Sequence, residues 1–289
     1  MPTRRHFLQW VGAAASLAAR SSHAGGPVSE EKQPTKTAPK GTFELGLASY
    51  TLLKFPLDQV LAMTNRVGLK HICLNPIHLP VESTPEQIAQ AMAKVKTAGL
   101  DLYGSGVVDM RNPAEVQCAF EFAKAAGIRV IVGVPLPKVL SLVNEKVQEY
   151  DIRAAIHNHG PGDEIYPTPD IAYEKIKNLD PRIGLCIDIG HTLRNGVDPS
   201  QAVEQFADRL LDVHLKDINQ AAAAGHGVEV GRGVLDIPKF LRTLDKIRYQ
   251  GIVSFEYEKD PDDPLAGLAE SVGYVRGCQR AVKAARWSE

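Results

Sequence analysis

The chain has 289 residues, 44% of them hydrophobic, which is enough for one large core in a single domain. Its 33 Lys and Arg are balanced by 34 Asp and Glu, giving a net charge of -1 and a pI near 6.8. No basic face is therefore expected, and neither nucleic acid nor an anionic membrane surface is indicated as a partner.

The first segment reads as an address rather than a fold. Arg4-Arg5 precede an apolar run from Trp10 to Ala19, and Ser22-His23-Ala24 resembles a small-residue cleavage site. Residues 1–24 are thus expected to be a twin-arginine-type signal peptide that sends the protein to the periplasm. An ordinary secretory signal or an uncleaved anchor is the competing reading. The apolar run is short of the roughly 20 residues a spanning helix needs, so no stable membrane insertion is expected after processing. Residues 25–42 are rich in Gly, Pro, Lys, Glu and Thr and read as a disordered linker before a barrel domain over 43–289.

From there, short apolar runs alternate with amphipathic helical stretches. Leu45 to Tyr50 is strand-like, and Pro56 to Val67 reads as a helix ended by Gly68. His71 to Leu74 is a second strand. Thr84 caps a helix with Pro85 at its first position and Gly99 beyond its end. Leu100 to Tyr103 is the third strand. Asn112-Pro113 opens a helix closed by Gly127, and Ile128 to Val134 is a continuous apolar run, as a strand buried on both faces should be. A short helix over Val143 to Tyr150 follows.

The second half keeps this rhythm. Strands are expected at Ile152–Ile156, Ile183–Ile187, Leu211–Leu215 and Ile252–Tyr257. Helices are expected at Asp170–Asn178, from Asp198-Pro199 to Leu210, at Ile237–Tyr249 and at Pro264–Ala285. Eight strands alternating with eight helices predict a (β/α)₈ TIM barrel, a single α/β domain. An open doubly wound sheet is the alternative, but no Gly-rich phosphate turn follows the first strand. Cys73, Cys118, Cys186 and Cys278 fit no zinc spacing and read as packed thiols, although an exported chain could bridge a pair.

Barrel chemistry sits at the C-terminal strand ends. Polar residues gather there on four successive strands: His157-Asn158-His159, Asp188-Ile189-Gly190-His191, His214-Leu215-Lys216-Asp217 and Glu256-Tyr257-Glu258. Alternation puts His157 with His159, His214 with Lys216, and Glu256 with Glu258 on common faces. A closed barrel brings these ends around one axis, and imidazoles with carboxylates suit a divalent metal. Taken singly, each has a plain structural reading: a hydrogen-bonded His, a surface Lys216–Asp217 pair, or Asp188 as a turn cap. Their bunching on four consecutive strands favours one site.

The runs Cys186-Ile187-Asp188-Ile189-Gly190-His191, Val213-His214-Leu215-Lys216-Asp217 and Gly231-Arg232-Gly233-Val234-Leu235-Asp236 resemble signatures of the xylose isomerase-like sugar phosphate isomerase/epimerase superfamily. That superfamily includes ketose 3-epimerases, hydroxypyruvate isomerase, inosose dehydratase and an endonuclease IV branch. The resemblance covers roughly residues 43 to 285. It implies a divalent metal (Mn, Co, Zn or Mg) held by Glu, Asp, His and Glu on successive strands. Asp188, His214 and Glu256 match three of these positions, but His157 stands where epimerases place the first Glu. The missing Glu and the near-neutral charge argue against the endonuclease branch. The His-x-His pattern looks more like the inosose dehydratase branch.

On this reading His157, Asp188, His214 and Glu256 are the expected metal ligands. Glu256, His157, His191 and Lys216 are the expected catalytic groups. His159, Asp217, Arg232 and Glu258 are the expected substrate contacts. The expected activity is a metal-dependent sugar or sugar phosphate isomerase or epimerase that abstracts a proton next to a carbonyl. The alternatives are a keto-sugar or inosose dehydratase (a lyase) and a non-catalytic sugar-binding barrel. The expected partner is a small carbohydrate or polyol, and a homo-oligomer is compatible with the sequence.

Overall fold

The structure is a computed structural model and describes residues 43–285. The expected signal peptide and linker, and the last four residues of the expected barrel segment, lie outside the described residues. So do both tryptophans. None of the described helices is long and apolar enough to cross a membrane.

Continuous apolar runs become strands whose two faces are both covered. The barrel strands are β1 (Glu44–Ala48), β2 (His71–Leu74), β3 (Asp101–Met110), β4 (Val130–Pro135), β5 (Arg153–His157), β6 (Ile183–Asp188) and β7 (Leu210–Leu215). A two-stranded ribbon, β8 (Asp217–Ile218) and β9 (Gly227–Val228), precedes the eighth barrel strand, β10 (Ile252–Phe255). The barrel closes in the order β1-β10-β7-β6-β5-β4-β3-β2, with every pair parallel. The chain is a TIM barrel, as its alternating pattern predicts.

The helices wrap this barrel. They are α1 (Leu57–Arg66), α2 (Pro85–Thr97), α3 (Pro113–Ala126), α4 (Leu140–Tyr150), α5 (Pro169–Ile176), α6 (Ile189–Arg194), α7 (Pro199–Gln205), α8 (Ile237–Lys246) and α9 (Leu265–Ala285). Local chemistry sets their ends. Thr84 and Gln87 form a reciprocal capping box on α2. Asn112 caps α3, which Gly127 ends in the left-handed region. Ile237, Phe240, Leu241 and Leu244 bury one face of α8 at helical spacing.

Several elements differ from the sequence expectation. The helix α6 (Ile189–Arg194) is not among the predicted ones, and the helix expected to run to Leu210 ends at Gln205, with Ala207–Arg209 a 3₁₀ turn and Leu210 opening β7. β3 runs seven residues past Tyr103, through Gly104, Ser105 and Gly106, with a register shift against β4 between Ser105 and Val108. The first strand stops at Ala48, where Ser49–Leu52 tightens into a 3₁₀ turn. The ribbon has no counterpart in the predicted elements. All four cysteines are free thiols; Cys73 and Cys186 are buried inside the barrel with Tyr103, Val132 and Ala155.

One charged residue lies in that interior. Asp212 on β7 is fully buried and accepts from the Tyr103 hydroxyl at 3.0 Å and from the Val213 amide at 2.8 Å. Burial pushes its carboxyl up to about 6, and the neighbouring His214 only partly offsets this. The folded chain therefore holds a proton that the unfolded chain releases near pH 4. Stability from this group is full below that pH and is lost as pH rises through about 6, a difference of roughly 3 kcal/mol. Asp212→Asn should remove that slope. Denaturant unfolding of both proteins in chelator at pH 4 to 7 checks it: parallel curves would exclude a raised Asp212.

Candidate active site

Alternation along each parallel strand aims one side chain per strand end into the barrel mouth. His157 closes β5, Asp188 closes β6, His214 sits one residue before the end of β7, and Glu256 follows β10. Register brings them level: Asp188 pairs with His214, and the Glu256 amide donates to the Leu215 carbonyl. All four side chains are buried. Asn158 locks the end of β6, accepting from the Asp188 amide and donating to Thr192.

The four side chains converge. His157 Nε2 lies 3.1 Å from His214 Nδ1, 3.9 Å from Asp188 Oδ2 and 4.0 Å from Glu256 Oε2. His214 Nδ1 lies 3.3 Å from Glu256 Oε2. One ligand atom from each of the four falls within 4.8 Å of all the others. Bonds of about 2.1 Å to a shared cation would put tetrahedral donors about 3.4 Å apart, so the observed separations bracket what such an ion needs. Asp188 Oδ1 accepts from the His191 amide, while buried Oδ2 has no hydrogen-bond partner. His157 Nδ1 and His214 Nε2 are also buried without one. The nitrogens that face the cluster are the other two, His157 Nε2 and His214 Nδ1, and with Asp188 Oδ2 and Glu256 Oε2 they are a donor set that fits a divalent metal.

Lys216 lies two residues after His214, just past the end of β7. Its ammonium lies 3.2 Å from Asp188 Oδ2, 3.0 Å from Glu256 Oε2 and 2.9 Å from Glu258 Oε1. Gly190 makes room for its stem: a Cβ there would fall 2.9 Å from Lys216 Cγ. Burial works against its charge, but the three carboxylates win and hold the ammonium well above the usual lysine range. The same balance sets Glu256. Burial would raise it, yet Lys216 and His214 hold it well below the usual carboxylate range. Burial raises Asp188 to about 7 despite Lys216. Burial would also lower His214, but Glu256 and the aspartates raise it to about 9. His157 is lowered, first by burial and then by His214.

Above the cluster lies a cavity of about 290 Å³, whose wall includes His157, His159, His191, Glu256 and Glu258. Burial and Lys216 hold His191 down to about 2, so its ring is neutral. Arg194 faces His191 Nδ1 at 3.2 Å and Lys216 faces Nε2 at 3.1 Å. A neutral imidazole can accept at only one of them. His159 Nδ1 lies 3.3 Å from Asp163. A second cavity, about 390 Å³, shares His191 and Glu258 and extends to Arg194, His226 and Lys259. A third cavity, about 420 Å³, is at the opposite end of the barrel, by Arg129, Arg153 and Tyr249, away from the cluster.

Two expected substrate contacts lie elsewhere. The Asp217 carboxylate is buried and accepts from the amides of Ile218, Gly231, Gly233 and Leu235. It pins the Gly-flanked loop, and at Gly233 a Cβ would strike it at 2.1 Å. Arg232 forks onto Glu270 of α9, at 2.6 and 2.7 Å, and lines neither cavity at the mouth. Glu256 lies within the quartet, and Lys216 and His214 favour its ionised form, which suits a metal ligand. Sequence reading passed over Tyr50, Asn75 and Asp109, which line the cavity, and Asp163 behind His159. Asn75 had a signal, since it directly follows the second strand.

Comparison with known proteins agrees with this architecture. The inosose dehydratase of Geobacillus thermodenitrificans is 29% identical over 139 residues, 42% of this chain and 46% of that protein. The chain spans about half the length of the curated relatives it matches. Among solved structures, the IolI protein with a bound zinc atom superposes with a TM-score of 0.68 at 18% identity, over 83% of this chain and 98% of that one. An L-ribulose 3-epimerase superposes with a TM-score of 0.69 at 15% identity, over 85% and 97%. These likenesses show the fold. The family model for the xylose isomerase-like TIM barrel matches residues 110–278, the stretch from the end of β3 into α9 that carries the whole buried cluster, and the chain belongs to that family.

Proposed function

We propose that this protein is a metal-dependent enzyme that removes a proton next to the carbonyl of a small keto-sugar or polyol, as an isomerase or epimerase. The observation that carries this reading is the buried quartet His157, Asp188, His214 and Glu256 at the floor of a polar cavity. These four residues hold a divalent ion, which supplies Lewis-acid polarisation of the carbonyl when bound. Zinc, cobalt and manganese suit two imidazoles with two carboxylates, and magnesium suits them less.

The proton chemistry falls to groups on the cavity wall. Glu258 presents a carboxylate anchored by Lys216 and takes the substrate proton. His159, oriented by Asp163, donates or returns one from the neighbouring strand end. Lys216 contributes positive charge beside the oxygen that becomes negative.

A dehydratase is the second reading, favoured by His157 in the first ligand position and by the inosose dehydratase match. It shares the same proton removal and then expels a hydroxyl group. One experiment covers both. Purified protein is analysed for bound metal, then incubated with keto-sugars and inososes in heavy water. Stoichiometric metal and deuterium at the carbon next to the carbonyl are expected. A stereoisomer or aldose–ketose pair means isomerase; an unsaturated ketone means lyase. Protein without metal whose stability and turnover do not respond to added metal would exclude the proposal.

Export is proposed alongside. Changing Arg4 and Arg5 together to Lys should leave the precursor in the cytoplasm, as read by fractionation. Unchanged export of the double variant would rule out the twin-arginine route.

A further inference from the structure

Lys216 carries three N–H donors and no acceptor. Four acceptor groups stand around it: His191 Nε2, Glu258 Oε1, Asp188 Oδ2 and Glu256 Oε2. The contact to Glu258 has hydrogen-bond geometry, and so has that to His191 in the tautomer whose Nε2 is unprotonated. The third N–H is left to two oxygens, Asp188 Oδ2 at 3.2 Å and Glu256 Oε2 at 3.0 Å. Those two oxygens are also the carboxylate atoms that face His157 Nε2 and His214 Nδ1. The ammonium and a cation held by the quartet therefore claim the same oxygens.

We infer that Lys216 is a tethered counter-cation of the metal site, which a divalent ion displaces and thereby turns toward substrate. This rests on the metal reading above and adds to it a direct antagonism between one lysine and the metal. Like charges at this range repel strongly where the groups are buried, so the ion and the ammonium cannot both hold Asp188 Oδ2 and Glu256 Oε2.

Displacement is local. Glu258 lies on the cavity side and already accepts one N–H at 2.9 Å, so the ammonium keeps a charged anchor as it moves. At Gly190 no side chain stands against the lysine stem, where a Cβ would fall 2.9 Å from Lys216 Cγ. The N–H freed from the two carboxylates is then the donor available to a substrate oxygen in the cavity. Metal loading and the assembly of a cationic substrate contact become one event. An alternative is that Lys216 is a permanent structural partner of Asp188 and Glu256, supporting the ligands with or without metal.

The two accounts predict opposite shifts. Lys216→Met keeps the length of the stem and removes the charge. Under displacement, zinc affinity measured by competition with a chromophoric chelator should rise by roughly one to two orders of magnitude. The metal-free variant should melt at lower temperature than wild type, and added zinc should restore the difference. Under permanent support, the variant binds zinc equally or more weakly, which overturns the inference.

If the metal-free variant does not fold, wild type answers the question by NMR of ¹⁵N-lysine-labelled protein. Stoichiometric zinc should shift or broaden the Lys216 ammonium signal, identified as the one missing from Lys216→Arg. A signal unmoved at full zinc occupancy overturns the inference. Wild type that binds no zinc at all overturns the metal reading itself, and this inference with it. Wild type that binds zinc while Lys216→Met gains nothing overturns only the inference.

Discussion

His214→Ala is expected to cut divalent-metal affinity by two orders of magnitude or more, with turnover falling in step. The reason lies in the geometry. His214 Nδ1 faces both His157 Nε2 at 3.1 Å and Glu256 Oε2 at 3.3 Å, so it is the closest neighbour to two other members of the quartet. Removing it takes away one nitrogen donor and leaves a gap that the fully buried surroundings cannot refill with water at equal strength. It also removes the group that, with Lys216, holds Glu256 in its ionised form. Equilibrium dialysis with metal analysis reads the first effect, and turnover per folded molecule reads the second. A variant with full metal content and wild-type turnover would exclude the quartet as the metal site.

Much of this site was legible in the sequence because its parts fall at predictable places. Parallel strands buried on both faces leave continuous apolar runs, and the first polar residue after each run marks the barrel mouth. His157 and Asp188 follow that rule; His214 and Glu256 lie at the same strand ends, but Asp212 and Ser254 come before them as polar residues inside β7 and β10. The roles of their neighbours were less legible. Asp217 adjoins Lys216, but alternation sends it to the other side of the strand, where the Ile218 amide and three loop amides claim its carboxylate. Arg232 sits in a Gly-flanked loop that could have reached an anion, yet Glu270, 38 residues away in sequence, captures it. No local pattern encodes that pairing. Asp109 was hidden because Gly104, Ser105 and Gly106 interrupt the apolar run of β3, which hid the strand's far end. The division of labour proposed for Glu256 and Glu258 was also illegible. Both lie on one face of the same segment, and only the three-dimensional placement of Lys216 and His214 separates them.

That division is open to direct test. Glu258→Gln should lower turnover by roughly two to four orders of magnitude, the usual share of general-base catalysis, while metal content stays at the wild-type level. Glutamine at 258 still offers Lys216 an oxygen in place of Oε1, which accepts at 2.9 Å, so the site keeps its shape but loses a proton acceptor. Glu256→Gln should behave differently. Its carboxylate lies 3.3 Å from His214 Nδ1 and 3.0 Å from Lys216, and an amide there loses the charge that a metal ligand needs. Loss of bound metal should then accompany loss of turnover. The decisive comparison is turnover per bound metal ion. For Glu258→Gln it falls with occupancy intact; for Glu256→Gln both fall together, and excess metal recovers part of the activity. Deuterium exchange into a confirmed substrate sharpens the result, since Glu258→Gln should slow exchange as much as product formation. A fully active Glu258→Gln enzyme would move the base to another cavity group, with His159 and its partner Asp163 the next to be changed.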